Sequence, residues 1–375
     1  VKVRVENINT KILKQCREQI GLELPVVAKK IPKIADIEQG EKKPTYGQLN
    51  TISELYKVPR WVFISDTLPQ KYQFNTAVPA FRQFASSNPD IFSEPKVRGL
   101  ITKVERYREL IIELRDDMGE PIELFEPPVI SNHSSPEVVA NQVREWLNAT
   151  GNLDFIYWKE ELEKKGVFVF LTSKYKGWSH IEREFFRGLA LYYTKLPIII
   201  INDSDAKKAQ SFTLFHELGH LLRKENAIDD WRPNQNIEKW CDRLAGNVLM
   251  PTEQVKNAFS DRITFDLIKD TAKRFHVSAW ACLVKVSQLD MIESKVYQKY
   301  EMQLKEEYKQ YQKKLKESKG GPARNRPKEI LLQYGNIYTK AVFQAYYNKD
   351  IGLHKLTRLF DLRKASYVFE LENQF

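Results

Sequence analysis

Apolar residues recur at helical spacing over several stretches of this chain and form short unbroken runs at two others. Val97, Leu100, Ile101, Val104, Tyr107, Ile111 and Leu114 mark one face of a helix over residues 96–117. Ser135-Pro136-Glu137 offers a capping hydroxyl and a proline at the first helical position, for a helix running to about residue 147. Residues 155–165 read as a helix stopped by Gly166, and 167–171 follow as a strand. Leu196-Pro197-Ile198-Ile199-Ile200-Ile201-Asn202 predicts a second, buried strand. Ser211-Phe212-Thr213-Leu214-Phe215 leads into a mostly apolar helix that continues through Leu221-Leu222. Ile237, Trp240, Cys241, Leu244, Ala245, Val248 and Leu249 predict another helix, closed by Met250-Pro251. Further on, Tyr297, Tyr300, Leu304, Tyr308, Tyr311 and Leu315 form an aromatic seam on one long helix, suited to a partner helix. Ala272 to Ser278 and Leu356 to Ser366 have the flavour of small helix-turn-helix units, with His276 as a turn residue. The expected fold class is α+β, mostly helical, with a small sheet packed on the 211–222 helix.

Composition narrows the classes. With 375 residues, 42% hydrophobic and 29% charged, the chain reads as soluble, globular and two- or three-domain. No run approaches the roughly 18 apolar residues of a membrane span, and the first residues lack the apolar core of a secretion signal. Cys16, Cys241 and Cys282 are odd in number and far apart, so a reducing cytoplasm is expected and no membrane partner. A net charge of +10 suits an acidic partner, nucleic acid above all. The basic loop Gly320-Gly321-Pro322-Ala323-Arg324-Asn325-Arg326-Pro327 is either a phosphate contact or a linker.

The chemistry concentrates at His216-Glu217-Leu218-Gly219-His220. Residues i and i+4 of a helix share a face, so two imidazoles can bind one zinc ion with a carboxylate beside the open position. The context is apolar, and buried histidines and glutamate need partners, which a metal supplies. Catalytic zinc usually takes three protein ligands and a water. Glu238, near the start of the next predicted helix, is the third-ligand candidate; Asp242, one turn on, is placed to accept from an imidazole N–H. Glu225, Asp229 and Asp230, on a polar connecting stretch, are rivals. Glu217 is the candidate general base and later acid, and zinc is the expected cofactor. Ile199, Ile200 and Ile201 are candidates for pairing with an extended substrate, with core as their plainer role. Phe185-Phe186-Arg187-Gly188 are candidate substrate-facing walls, and Tyr192, Tyr193 and His180 are candidates for stabilising an oxyanion.

Phe212-Thr213-Leu214-Phe215-His216-Glu217-Leu218-Gly219-His220, followed by Glu238-x-x-Cys241-x-x-x-Ala245-x-x-x-Leu249-Met250-Pro251, resembles the ImmA/IrrE family of metallo-endopeptidases. Cys241 stands where that family usually has alanine, and Asp242 where it usually has asparagine. The resemblance implies a gluzincin-like zinc peptidase whose substrate is a regulatory protein, typically a helix-turn-helix repressor of stress or mobile-element genes. Residues 8–62, with Leu24-Pro25-Val26-Val27-Ala28 and Glu38-Gln39-Gly40, resemble a short Xre-type helix-turn-helix domain, and Val78-Pro79-Ala80-Phe81-Arg82 resembles the family's linking segment. Some relatives of this fused type sit in gene pairs resembling toxin–antitoxin modules. The resulting division is 1–65 helix-turn-helix-like, 66–125 linker and amphipathic helix, 126–260 peptidase, and 261–375 a C-terminal helical region. Between Ala28 and Glu38 a full recognition helix lacks room, and Pro32 disfavours helix, so DNA binding and protein docking both stay open for the first domain. The alternative to a peptidase is a non-proteolytic antitoxin-like or DNA-binding regulator that keeps the zinc fold as a docking surface.

Overall fold

The structure is a computed structural model that describes residues 4–19, 22–56, 58–69, 82–83, 95–131, 133–151, 153–175, 177, 179–182, 187–223, 235–260, 262–317, 324–362 and 364–374. It divides into two compact units, one holding residues 1–80 and 88–104, the other 81–87 and 105–375. Among the described residues no helix is long and apolar enough to cross a membrane.

The first unit is helical: α1 (Thr10–Gln19), α2 (Leu24–Ala28), α3 (Ile34–Glu38), α4 (Tyr46–Tyr56) and a 3-10 turn (Arg60–Ile64). Leu13, Cys16, Val27, Ile31, Ile34, Ile52, Tyr56 and Phe63 form its core. Inside it the Arg17 guanidinium grips Glu38 through Nε at 2.7 Å and Nη2 at 3.0 Å, and the Tyr56 hydroxyl donates to the same carboxylate at 3.3 Å. A planar fork on a carboxylate fixes the angle between α1 and α3 as well as neutralising both charges. The α3 helix is only five residues long.

The helix α5 spans Pro95–Asp117. The second unit adds β1 (Arg82–Gln83), α6 (Pro136–Trp146), α7 (Phe155–Lys164), β2 (Phe168–Leu171), β3 (Gly188–Leu191), β4 (Ile198–Ile201), α8 (Lys207–Arg223) and α9 (Gln235–Leu249). After these come α10 (Thr252–Ala258), α11 (Phe265–Arg274), α12 (Ala279–Gln288), α13 (Ser294–Glu317), α14 (Arg326–Tyr347), α15 (Leu353–Leu359) and α16 (Ser366–Glu372). The α+β, mostly helical class is what the pattern predicts. Ser135 caps α6 by accepting the Val138 N–H at 3.3 Å. Ser135→Ala should lower stability by about 1 kcal/mol, read as a small fall in the unfolding midpoint.

The sheet runs β1-β3-β4-β2, with β2 parallel to β4 and the other two pairs antiparallel. Every residue of β2, β3 and β4 is buried, which explains runs without polar alternation: both faces of the sheet are covered. Val169, Leu171, Ile199 and Ile201 join Leu214, Phe215, Leu218 and Leu244 in the main core, on the side of α8 and α9. Phe168 and Phe170 meet Tyr334 and Tyr338 of α14 and Tyr107 of α5 instead.

The α14 helix breaks at Gly335, whose φ of +74° is open to glycine at little cost. The carbonyl–amide gap there is filled from α7: Glu163 Oε2 accepts the Asn336 N–H at 2.8 Å, and Glu163 is also paired with Lys159. Both side chains of that ion pair are buried, and a Cβ at Gly335 would collide with Glu163 Oε1. The long helix α13 buries Leu304 and sets Tyr300 against Phe265; farther along its seam Tyr308 is exposed, and the side chains of Tyr311 and Leu315 lie outside the described residues. His276 sits at φ +54° in the turn between α11 and α12, as expected of a turn residue. Of the basic 320–327 loop, residues 320–323 lie outside the described residues, and Arg324 and Arg326 are both engaged by Glu329.

Candidate metal centre

The α8 helix is buried from Gln210 to Leu222 except for the partly covered Phe212, because β3 and β4 lie against one side and α7 and α9 against the others. It therefore presents His216 and His220 inward, one turn apart. The α9 helix is phased by its apolar stripe of Cys241, Leu244, Ala245 and Val248, and it is clamped to the α6 side. Trp240 Nε1 donates to the Ser134 carbonyl at 3.0 Å, and Arg144 donates to the Val248 carbonyl at 2.6 Å, satisfying a helix-end acceptor. That phasing turns Glu238 and Asp242 toward α8.

His216 Nε2 lies 3.2 Å from Glu238 Oε2, His220 Nε2 lies 3.5 Å from Glu238 Oε1, and the two Nε2 atoms are 3.3 Å apart. These three donors fall within 4.8 Å of one another and could hold a metal ion. Tetrahedral zinc with nitrogen and oxygen donors at about 2.0–2.1 Å has ligand–ligand edges of about 3.3 Å, so the three separations fit that ion. His216 Nδ1–H donates to Asp242 Oδ1 at 2.8 Å, which leaves Nε2 as the ligating atom.

The electrostatics point the same way. Burial pushes the His216 imidazole down, but hydrogen bonds to Asp242 and Glu238 and the charge of Glu217 outweigh it and carry the group up to about 10. His220 is pushed down to about 3 by burial first, then by His216 and Arg223. Two facing nitrogens thus accept one positive charge between them, at the point where a divalent cation would take the proton's place. Glu217 is fully buried and is raised to about 8, by burial first and then by the nearby Glu238 carboxylate, against the pull of His216. Neither of its oxygens has a hydrogen-bond partner among the described residues. A buried carboxylate in that state is costly unless it serves a ligand or a water. The β3 strand passes close behind it: a Cβ at Gly188 would sit 2.7 Å from Glu217 Oε1.

The structure brings His216, Glu217, His220, Glu238 and Asp242 together, with the candidate wall residue Gly188 beside Glu217. Ile199, Ile200 and Ile201 belong to β4, which is interior. Its two sides are taken by β2 and β3, so it has no free edge for a peptide, and the substrate-pairing expectation is corrected to core. The sequence pattern predicts neither β1 nor β3, and β3 is the one at the site. Asn202 N–H donates to the Arg187 carbonyl at 2.9 Å, so by alternation the peptide groups of Gly188 face away from β4, beside Glu217. The next outward residue, Ala190, is opposite the chain's own Gln83. Tyr193 is engaged with Glu105, to which its hydroxyl donates at 2.7 Å, and with the Arg108 guanidinium over its ring. His180 Nδ1 lies 2.8 Å from the Ser173 carbonyl, and Tyr192 packs partly buried against the main core. The rivals Glu225, Asp229 and Asp230, the wall residues Phe185 and Phe186, and Val78 to Phe81 of the linking segment lie outside the described residues.

A family model for peptidases, described as the IrrE N-terminal-like domain, matches residues 163–287, about one third of the chain. The matched stretch runs from the end of α7 to the end of α12 and contains the whole cluster. It supports the resemblance to ImmA/IrrE proteins and suggests a metallopeptidase. No curated protein matches the chain.

Proposed function

We propose that the chain is a zinc-dependent endopeptidase of gluzincin type acting on a regulatory protein. The observation that carries this reading is the convergence of His216, His220 and Glu238 at tetrahedral spacing beside a buried Glu217 that has no hydrogen-bond partner among the described residues. Zinc held by these three residues would supply the positive charge that acidifies water and polarises a scissile carbonyl. Glu217 takes a proton from the attacking water and returns it to the leaving amine. Asp242 holds the His216 ring in the tautomer that keeps Nε2 for the metal. Gly188 on β3, close against Glu217, marks the side on which an extended substrate would run.

The resemblance supplies the substrate class: a DNA-binding repressor or a toxin–antitoxin partner in the cytoplasm. The N-terminal unit fits docking of such a protein better than reading of bases, because a five-residue α3 reaches few base edges.

Purified chain should carry one zinc. Glu238→Ala should weaken zinc binding by more than the roughly 10–100-fold typical of losing an outer partner, measured by competition with a chromophoric chelator. Chelation should abolish hydrolysis, with recovery on adding zinc. A protein that purifies and remains metal-free in excess zinc sinks the reading.

A further inference from the structure

One turn of α9 carries three residues turned toward α8: Glu238, Cys241 and Asp242, at spacings of three and four. Cys241 is fully buried, and its Sγ lies 3.8 Å from His220 Nδ1. Since His220 Nε2 is the nitrogen that faces His216 and Glu238, Nδ1 must carry the ring proton when a cation is bound. That proton then faces a large, polarisable acceptor. Gly219 permits the approach. A Cβ there would lie 2.9 Å from Cys241 Sγ and 3.2 Å from Cys241 Cβ, so any other residue in the fourth position of the pentad would push the thiol away from the ring.

We propose that Cys241 is a positioning residue for His220: its sulfur accepts the Nδ1–H and fixes the tautomer and ring plane that aim Nε2 at the metal. The two histidines are then held by different chemistry. The partner of His216 is Asp242, whose side chain is 56% exposed. Cys241 lies in the interior, where an uncompensated carboxylate would be expensive and a neutral thiol is not. The inference deepens the metallopeptidase reading and rests on it only through the bound zinc.

The test measures zinc affinity of the full chain by chelator competition, and the absorption spectrum of its cobalt(II) form, for wild type, Cys241→Ala and Cys241→Ser. Unfolding midpoints of the metal-free forms monitor the fold. Cys241→Ala should bind zinc about tenfold more weakly, with a changed cobalt ligand-field band. Cys241→Ser, whose hydroxyl also accepts, should recover much of the loss. Equal zinc affinity and an identical cobalt spectrum in Cys241→Ala overturn the proposal while leaving the peptidase reading intact. A sulfur-to-cobalt charge-transfer band in wild type overturns it too, by making Cys241 a ligand. A wild-type chain that binds no zinc brings down both.

Discussion

Glu217→Gln should leave zinc bound and lower peptide-bond hydrolysis by on the order of 10²–10⁴-fold, the usual worth of a positioned general acid–base. The substitution keeps size and shape in a site where α8 is buried on all sides and β3 leaves no slack. It removes only the capacity to take a proton. Metal content should not fall, because the donors proposed for the metal are His216, His220 and Glu238, and neither oxygen of Glu217 has a hydrogen-bond partner among the described residues. The measurement pairs zinc analysis with quantitative proteomics of cells expressing wild-type or Glu217→Gln chain; peptides cut only by the wild type identify the substrate. A Glu217→Gln chain that keeps the full cellular effect would identify a non-proteolytic regulator instead.

Lys159→Met should cost about 3–5 kcal/mol of stability, the largest loss expected from a single change away from the metal centre. It strands the Glu163 carboxylate in a site where the side chains of both partners are almost fully buried. Glu163 cannot turn to solvent, since Asn336 N–H holds its other oxygen at 2.8 Å. Burial already pushes its carboxyl up, with Lys159 pulling it down. Replacing both partners, as in Lys159→Met with Glu163→Leu, should recover part of the loss. Recovery stays incomplete because the Asn336 N–H then lacks an acceptor, a penalty of about 1–3 kcal/mol. Chemical unfolding of the four proteins closes the cycle, and a Lys159→Met midpoint equal to wild type would show that the pair is solvated.

The local elements were readable wherever one stretch of chain decides them. The cap at Ser135, the buried run at 198–201 and the stripe of α9 follow from residues within a turn or two of each other. The pentad with Glu238 and Asp242 was readable for the same reason: helix periodicity sets faces, and two faces are enough to propose a cluster. What could not be read depends on partners far along the chain. The Gly188–Leu191 strand has four residues and no alternation, so nothing in its pattern separates it from a loop wall. The interior place of β4 follows from β3 pairing on one side and β2 on the other, which no run of isoleucines announces. Lys159 and Glu163 look like an ordinary surface pair at i and i+4. They are interior only because α14, more than 160 residues later, closes over them. Cys241 reads as packing because spacing gives its face but not its distance from an imidazole.

The stretch matched by the peptidase family ends at 287, yet Phe168 and Phe170 of its sheet are roofed by Tyr334 and Tyr338 from α14. The family-matched stretch and the packed body of the sheet therefore have different edges. A chain ending near 290 would keep all the residues of the metal cluster and expose a wall of aromatic rings to water, a surface prone to self-association. The helices after residue 326 therefore act as a lid on the sheet that backs the histidine pair, and removing them should cost solubility before it costs the cluster.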